Sequence, residues 1–279
     1  LRRHGLIGSG YVPSHRWTMA AQGKIGYYNP RYWQYRLRER YRALGIEEDE
    51  LATLSALTLG YKEDLDTSLK RSFQRAGAAH ILAVSGLHTG IIYSVILLLL
   101  NVFGFYPPLY EEKGRRIVNG VVCIILLWGY ALLTGMTPSV VRSVVMFSLV
   151  EIARMAYRQP VSLNTVMAAA FLILVFRPND LFSVSFQLSF AAVVAIVLGL
   201  EWLPKIHLSQ RMRASKWHKP LIYVWEVVVV SLLAQLGTMP LCLYYFGQTS
   251  NWFLLTNLVV IPLAWLIVVV AVVLLTIGW

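Results

Sequence analysis

Apolar residues fall into seven long blocks, at roughly 78–103, 117–134, 138–157, 161–176, 181–203, 221–246 and 253–279, parted by short polar or glycine- and proline-bearing stretches. Most approach the roughly 20 residues that a helix needs to cross about 30 Å of hydrocarbon. The fourth block is short, which predicts a tilted helix or one sunk among its neighbours. Upstream the pattern changes. Residues 31–44 (RYWQYRLRERYRAL) predict a helix rich in Arg and aromatics, ended by Gly45. The apolar run Leu51 to Leu59 is too short to span and is expected in or against a membrane. Residues 64–76 set Leu65, Leu69 and Phe73 opposite Lys70, Arg71 and Arg75, the pattern of a basic amphipathic helix at headgroup level. Residues 6–20, with Gly8, Gly10 and Pro13 around Tyr11, Val12, Trp17 and Thr18, predict the last strands of a small β domain. The fold class read from this pattern is mainly α. It is a polytopic transmembrane helical bundle of about seven segments over 78–279, with interfacial helices over 30–77 and a small external arm over 1–29.

Composition agrees. The 279 residues are 57% hydrophobic and 14% charged, with a mean hydropathy of +0.58, which is a membrane composition. Residues 1–77 hold 13 Lys/Arg and 8 Asp/Glu, so charge concentrates in the arm and leaves the body apolar. The net charge of +11 suits positively charged cytoplasmic loops first, and an anionic partner such as nucleic acid second. Alternate loops carry ten Lys/Arg (Lys113, Arg115, Arg116, Arg154, Arg158 and five over 204–220) against Arg177 alone. That asymmetry places the arm outside and Trp279 in the cytoplasm, although the arm's own basic residues count against it. Cys123 and Cys242 lie inside apolar runs and suggest neither a disulfide framework nor a metal cluster. The chain opens on Leu1, shows no signal peptide and stops straight after an apolar run, so it reads as a piece of something longer.

In hydrocarbon a polar side chain survives only against protein or a water-filled cavity, so polar positions inside the blocks are the candidate working parts. The first block carries His80, Ser85, Gly86, His88, Thr89 and Gly90. Ser85 and His88 share a helix face. Histidines bonded within the bundle are the plainer reading; a serine hydrolase is the sharper one, without an orienting carboxylate in view. In the third block Thr137 as N-cap and Pro138 predict a helix start, after which Ser139, Arg142 and Ser143 share a face. A lipid-facing Arg142 would cost at least about 2.5–3.5 kcal/mol, so it snorkels or faces a polar interior, and the adjacent serines favour the interior. Ser183 pairs in register with Gln187, as does Ser185 with Ser189. Ser231, Gln235 and Thr238 stripe the sixth block before Pro240, and Asn257 and Pro262 interrupt the seventh. Each stripe alone reads as helix–helix hydrogen bonding. Together they point to a shared polar interior.

The segments HILAVSGLHTG (80–90), TGMTPSVVRS (134–143) and SFQLSF (185–190), and the run from Ala234 to Asn251 containing AQLGTMPL and YYFGQTSN, resemble the competence region of the ComEC family. The resemblance covers about residues 50–279. It implies an inner-membrane channel that passes one strand of DNA into the cytoplasm during natural transformation, with a DNA receptor and a cytoplasmic ATP-driven motor as partners; self-association is open. It also implies that the arm is the end of an OB-like domain, that further membrane segments continue past Trp279, and that a nuclease domain can exist elsewhere. On this reading His80, Ser85, Gly86, His88, Ser139, Arg142, Ser143, Gln187, Ser231, Gln235, Thr238 and Asn257 are the DNA-path candidates. Arg31, Arg36, Arg38, Arg42, Lys70, Arg71 and Arg75 are the external contacts to DNA or membrane lipid.

None of the six histidines has HxHxDH or HExxH spacing, and no GxxxxGK[ST] loop occurs, so no metal, cofactor or nucleotide chemistry is expected of this chain. Two other readings stay open: a polytopic hydrolase using Ser85 with His80 or His88, and a small-molecule transporter.

Overall fold

The computed structural model describes residues 29–46, 48–61, 64–69, 71, 85–102, 113–159, 161–202, 219–247 and 253–277. The expected β arm, His80, Lys70, Arg75 and most of the amphipathic stretch after Leu69 lie outside them.

Among the described residues the chain is helical, and no strand occurs. Two helices stand in the 30–77 stretch, called the arm from here on, α1 (Pro30–Ala43) and α2 (Glu48–Leu59). Seven follow: α3 (Gly86–Val102), α4 (Lys113–Leu133), α5 (Pro138–Met155), α6 (Leu163–Phe176), α7 (Val184–Trp202), α8 (Lys219–Phe246) and α9 (Phe253–Ile277), with a 3-10 turn at Pro178–Phe182 before α7. A helix thus stands in each apolar block. Four of the described helices, α4, α7, α8 and α9, are long and apolar enough to cross a membrane. The first block yields only 17 described helical residues, about 25 Å, and α6 only 14, about 21 Å. α5 has the length, but Arg142, Glu151 and Arg154 interrupt its apolar character.

Local chemistry sets the ends. Asn29 caps α1 by accepting from the Arg31 backbone N–H at 3.0 Å, with Pro30 at the first helical position. α1 stops where Gly45 takes φ +85°. α5 starts at Pro138 as expected, but the Thr137 side chain makes no capping hydrogen bond, so proline rather than the hydroxyl marks that start.

The helices pack as a ring in which each touches its neighbours: α3 on α5, α5 on α6, α6 on α7, α7 on α8, α8 on α9, and α9 back on α3. α4 packs on α3 and α5, α1 lies on α4 and α9, and α2 lies on α9. One apolar core joins α3, α4 and α5 through Ile96, Cys123, Leu127, Val140 and Val144. A second joins α5, α6 and α7 through Val145, Ala169, Ile173, Phe186 and Phe190. The α7–α8 pair needs glycine: a Cβ on Gly237 would lie 2.5 Å from the Ala195 Cβ and 2.6 Å from the Ala191 carbonyl oxygen. Large apolar side chains face outward around the ring, Phe171, Ile125 and Val259 among them, as a lipid-facing perimeter requires.

The arm is tied down by buried polar contacts. Gln34 donates to the Leu59 carbonyl at 2.9 Å, and Arg38 pairs with Asp64 and lies over the Tyr61 ring. Burial pushes the Tyr41 phenol up to about 12, and its hydrogen bond to Thr58 works the other way. Tyr41, Leu51 and Leu59 share a cluster with Ala271, and Leu57 packs on Val260 and Ile267, so the arm lies along α9.

Gly237→Val should lower the thermal midpoint of the purified protein by the equivalent of about 1–3 kcal/mol, because backbone and not a flexible side chain blocks the new methyls. Gly129→Ala, where a Cβ meets nothing within 4 Å, should leave it unchanged or raised. Equal midpoints for the two variants would contradict the close α7–α8 contact.

Candidate functional site

Helix α5 carries the central groups. Arg142 is 3% exposed, one turn inside the helix start. Its Nη2 donates to Ser185 Oγ of α7 at 2.7 Å, reaching past α6, and the charge of Asp180 in the 3-10 turn acts on it favourably. Its Nε is buried with no hydrogen-bond partner in the structure. A guanidinium offers five donors, so a buried one with an unmet N–H is poised for an oxyanion. Ser185 itself is exposed, so the pair sits at an opening rather than in a sealed core. Ser143 bonds back to the Ser139 carbonyl at 3.1 Å and touches α3 at Gly86, where a Cβ would lie 2.9 Å from the Ser143 Oγ. Gly86 and Ser143 are therefore a helix crossing, and Ser139 serves that crossing through its backbone.

Ser85 and His88 do meet. The backbone N–H of Ser85 donates to His88 Nδ1 at 3.2 Å, and Ser85 Oγ lies 3.1 Å from the same nitrogen. Ser85 precedes the first residue of α3 and His88 is the third within it. The backbone contact is one half of a capping box, with an imidazole where Glu or Gln usually reaches back. The two residues stand together at the start of α3.

The remaining candidates pair with neighbours. Gln187 donates to the Leu181 carbonyl at 2.9 Å and accepts from Tyr245 of α8 at 2.7 Å. Asn257 of α9 donates to Ser231 of α8 at 3.3 Å. Thr238 bonds back to the Ala234 carbonyl at 2.9 Å, and Gln235 is half-buried on the same helix. These polar groups stitch α7, α8 and α9 in sequence.

Outside, Arg38 is committed to Asp64 and Glu39, and Arg42 contacts Glu39 at 3.2 Å. Arg36 donates to Tyr32 at 3.1 Å. Arg31, Arg36 and Arg42 stay exposed beside Trp33 and Tyr35, as does Arg71 further along.

One buried polar cluster escaped the sequence reading. Glu151 of α5 is 2% exposed, accepts from the Tyr93 hydroxyl of α3, and pairs with Arg154 at 3.2 Å, while Arg154 also donates to Tyr93 at 3.2 Å. Tyr93 stacks on Phe147 with ring centroids 4.6 Å apart. Arg154 reads in the sequence as a loop charge; the i, i+3 spacing with Glu151 was the available signal.

Residues 57–279 match the family model described as Competence protein. The chain belongs to that family. Its likeness to ComEC proteins is borne out by ComE operon protein 3 of Bacillus subtilis (strain 168), 27% identical over 217 residues, covering 78% of this chain and 25% of that protein. Uncharacterized protein YcaI of Escherichia coli (strain K12) is 28% identical over 225 residues, covering 78% and 28%. Competence protein ComA of Neisseria gonorrhoeae is 27% identical over 168 residues, covering 59% and 24%. The chain spans about a quarter of the length of these relatives. No solved structure matches it. Family and apolar helices together make this competence protein a membrane protein.

Replacing Glu151 with Leu should destabilise the bundle by about 3–5 kcal/mol, since Tyr93 and Arg154 then lose their buried partner. Adding Arg154→Met should recover part of that loss. Additive losses in the double variant, read from thermal unfolding in detergent, would show that the three residues do not act as a unit.

Proposed function

We propose that this competence protein forms the membrane part of a channel that admits one strand of DNA across the bacterial inner membrane. The observation that carries the reading is Arg142, a guanidinium buried in an apolar bundle, bound to Ser185 and left with an unmet Nε–H. Phosphate oxygens suit both donors. A backbone phosphate arriving at the opening by Ser185 would exchange with that hydroxyl for a bidentate grip, then be released as the next phosphate competes. The helices from α3 to α9 stand in a closed order of contacts, and on this reading the strand passes among them, with Gln235 as a further polar group near it. The exposed Arg31, Arg36 and Arg42 beside Trp33 and Tyr35 would receive the strand, pairing charge with phosphates and rings with bases.

The names of ComE operon protein 3 and Competence protein ComA support a place in competence. On this reading the arm faces outward, the C-terminus lies in the cytoplasm, and an external DNA receptor and a cytoplasmic ATP-driven motor act with the full protein. Self-association remains part of the proposal, because six ring helices of uneven length make a thin wall. A polytopic hydrolase using Ser85 with His88 is the second reading, and the 3.1 Å contact of Ser85 Oγ with His88 Nδ1 is the observation that favours it.

In cells carrying the full-length protein, Arg142→Leu should leave protein level and surface-bound labelled DNA unchanged and reduce internalised DNA by roughly tenfold or more. Arg142→Lys should fall between, since it keeps charge and loses the fork. Normal uptake by the Leu variant would remove Arg142 from the path. Ser85→Ala should leave uptake intact.

A further inference from the structure

The arm and α9 enclose a groove of about 540 Å³ that has no part in the reading above. Leu54 and Leu57 of α2 form one wall and Leu266 and Val270 of α9 the other, while Asp49 and Glu50, in the first turn of α2, stand at one end. Leu266 is 53% and Val270 46% exposed, on a helix apolar enough to span the membrane. The groove is therefore polar at one end and apolar for about 12 Å beyond it, the distance along α2 from Asp49 to Leu57.

We propose that this groove binds one phospholipid, with an acyl chain between α2 and α9 and an ammonium headgroup against Asp49 and Glu50. An amphiphile matches the polarity gradient. The headgroup class follows from charge: Asp49 and Glu50 put two carboxylates at that end, so a phosphate-terminated or glycerol headgroup without a cation is repelled and a primary ammonium is attracted. A helix from another protein fits less well. It would lay an apolar stripe over Asp49 and Glu50 and strip both of water without a compensating charge. The bound lipid would wedge the arm against α9, holding the Arg- and aromatic-bearing face of α1 at a set height above the membrane.

The test uses the chain reconstituted into vesicles of equal parts phosphatidylethanolamine, phosphatidylglycerol and phosphatidylcholine, then released into detergent for native mass spectrometry. One retained phosphatidylethanolamine is expected, preferred roughly fivefold over phosphatidylglycerol. The Asp49→Asn/Glu50→Gln double variant should keep a lipid but lose the preference. Val270→Trp, on an exposed position where the ring fills the groove, should lose the lipid with no change in thermal midpoint. Equal retention of the two headgroups by the unaltered chain would overturn the proposal, as would a lipid-free monomer or a lipid-free dimer in which a second copy covers the groove. DNA uptake plays no part in these readouts, so this proposal and the channel proposal fail separately.

Discussion

The structure depends on keeping two opposite charges buried on one helix. Arg142 lies near the start of α5 and Glu151 nine residues further on, and neither reaches bulk water. A bilayer gives such groups no partner, so the protein must supply one. Glu151 takes Tyr93 from α3 and Arg154 from its own helix; Arg142 takes Ser185 from α7. The two arrangements differ in completeness. The Glu151 cluster closes on itself and ties α3 to α5, whereas Arg142 keeps a donor in hand beside an exposed serine. A complete cluster serves architecture, and an incomplete one is suited to a ligand.

Close approach of backbones is the second constraint. Gly86 and Gly90 lie one turn apart on α3 against Ser143 and Phe147, one turn apart on α5, so the two helices run parallel with small residues at the crossing. On α7 and α8 the same device recurs with Gly199 against Leu233 and Gly237 against Ala195. Lipid is as apolar as leucine, so association here comes from packing and hydrogen bonds rather than from hydrophobic burial. That explains why serine, asparagine and glutamine sit at the contacts. Asn257 with Ser231 and Gln187 with Tyr245 join successive helices of the ring, so most polar residues inside the apolar blocks are fasteners and few are free for a strand of DNA.

The arm follows a different rule. α1 spends Arg38 on Asp64 and Glu39 and buries Tyr41, while its other arginines stay out with Trp33 and Tyr35. One helix thus presents an inner face that fastens to α2 and an outer face suited to an anionic surface. Contact of Leu51 and Leu59 with Ala271 makes the arm part of the membrane body, so the position of its basic face is coupled to α9.

The apolar blocks were readable because hydrocarbon demands long uninterrupted runs: the starts of α1 and α5, the glycine stop at Gly45, the marginal length of α6 and the unusual polar character of Arg142 all follow from residue order. Partners were not readable. Ser85 and His88 share a face in any helix, but only the backbone entering α3 brings the Ser85 N–H and Oγ onto His88 Nδ1; Glu151 resembles an ordinary helix-end charge until α3 covers it with Tyr93. Periodicity records which groups must leave water. Which group then stands opposite depends on how helices distant in the chain are brought side by side, and that is a property of the assembled bundle.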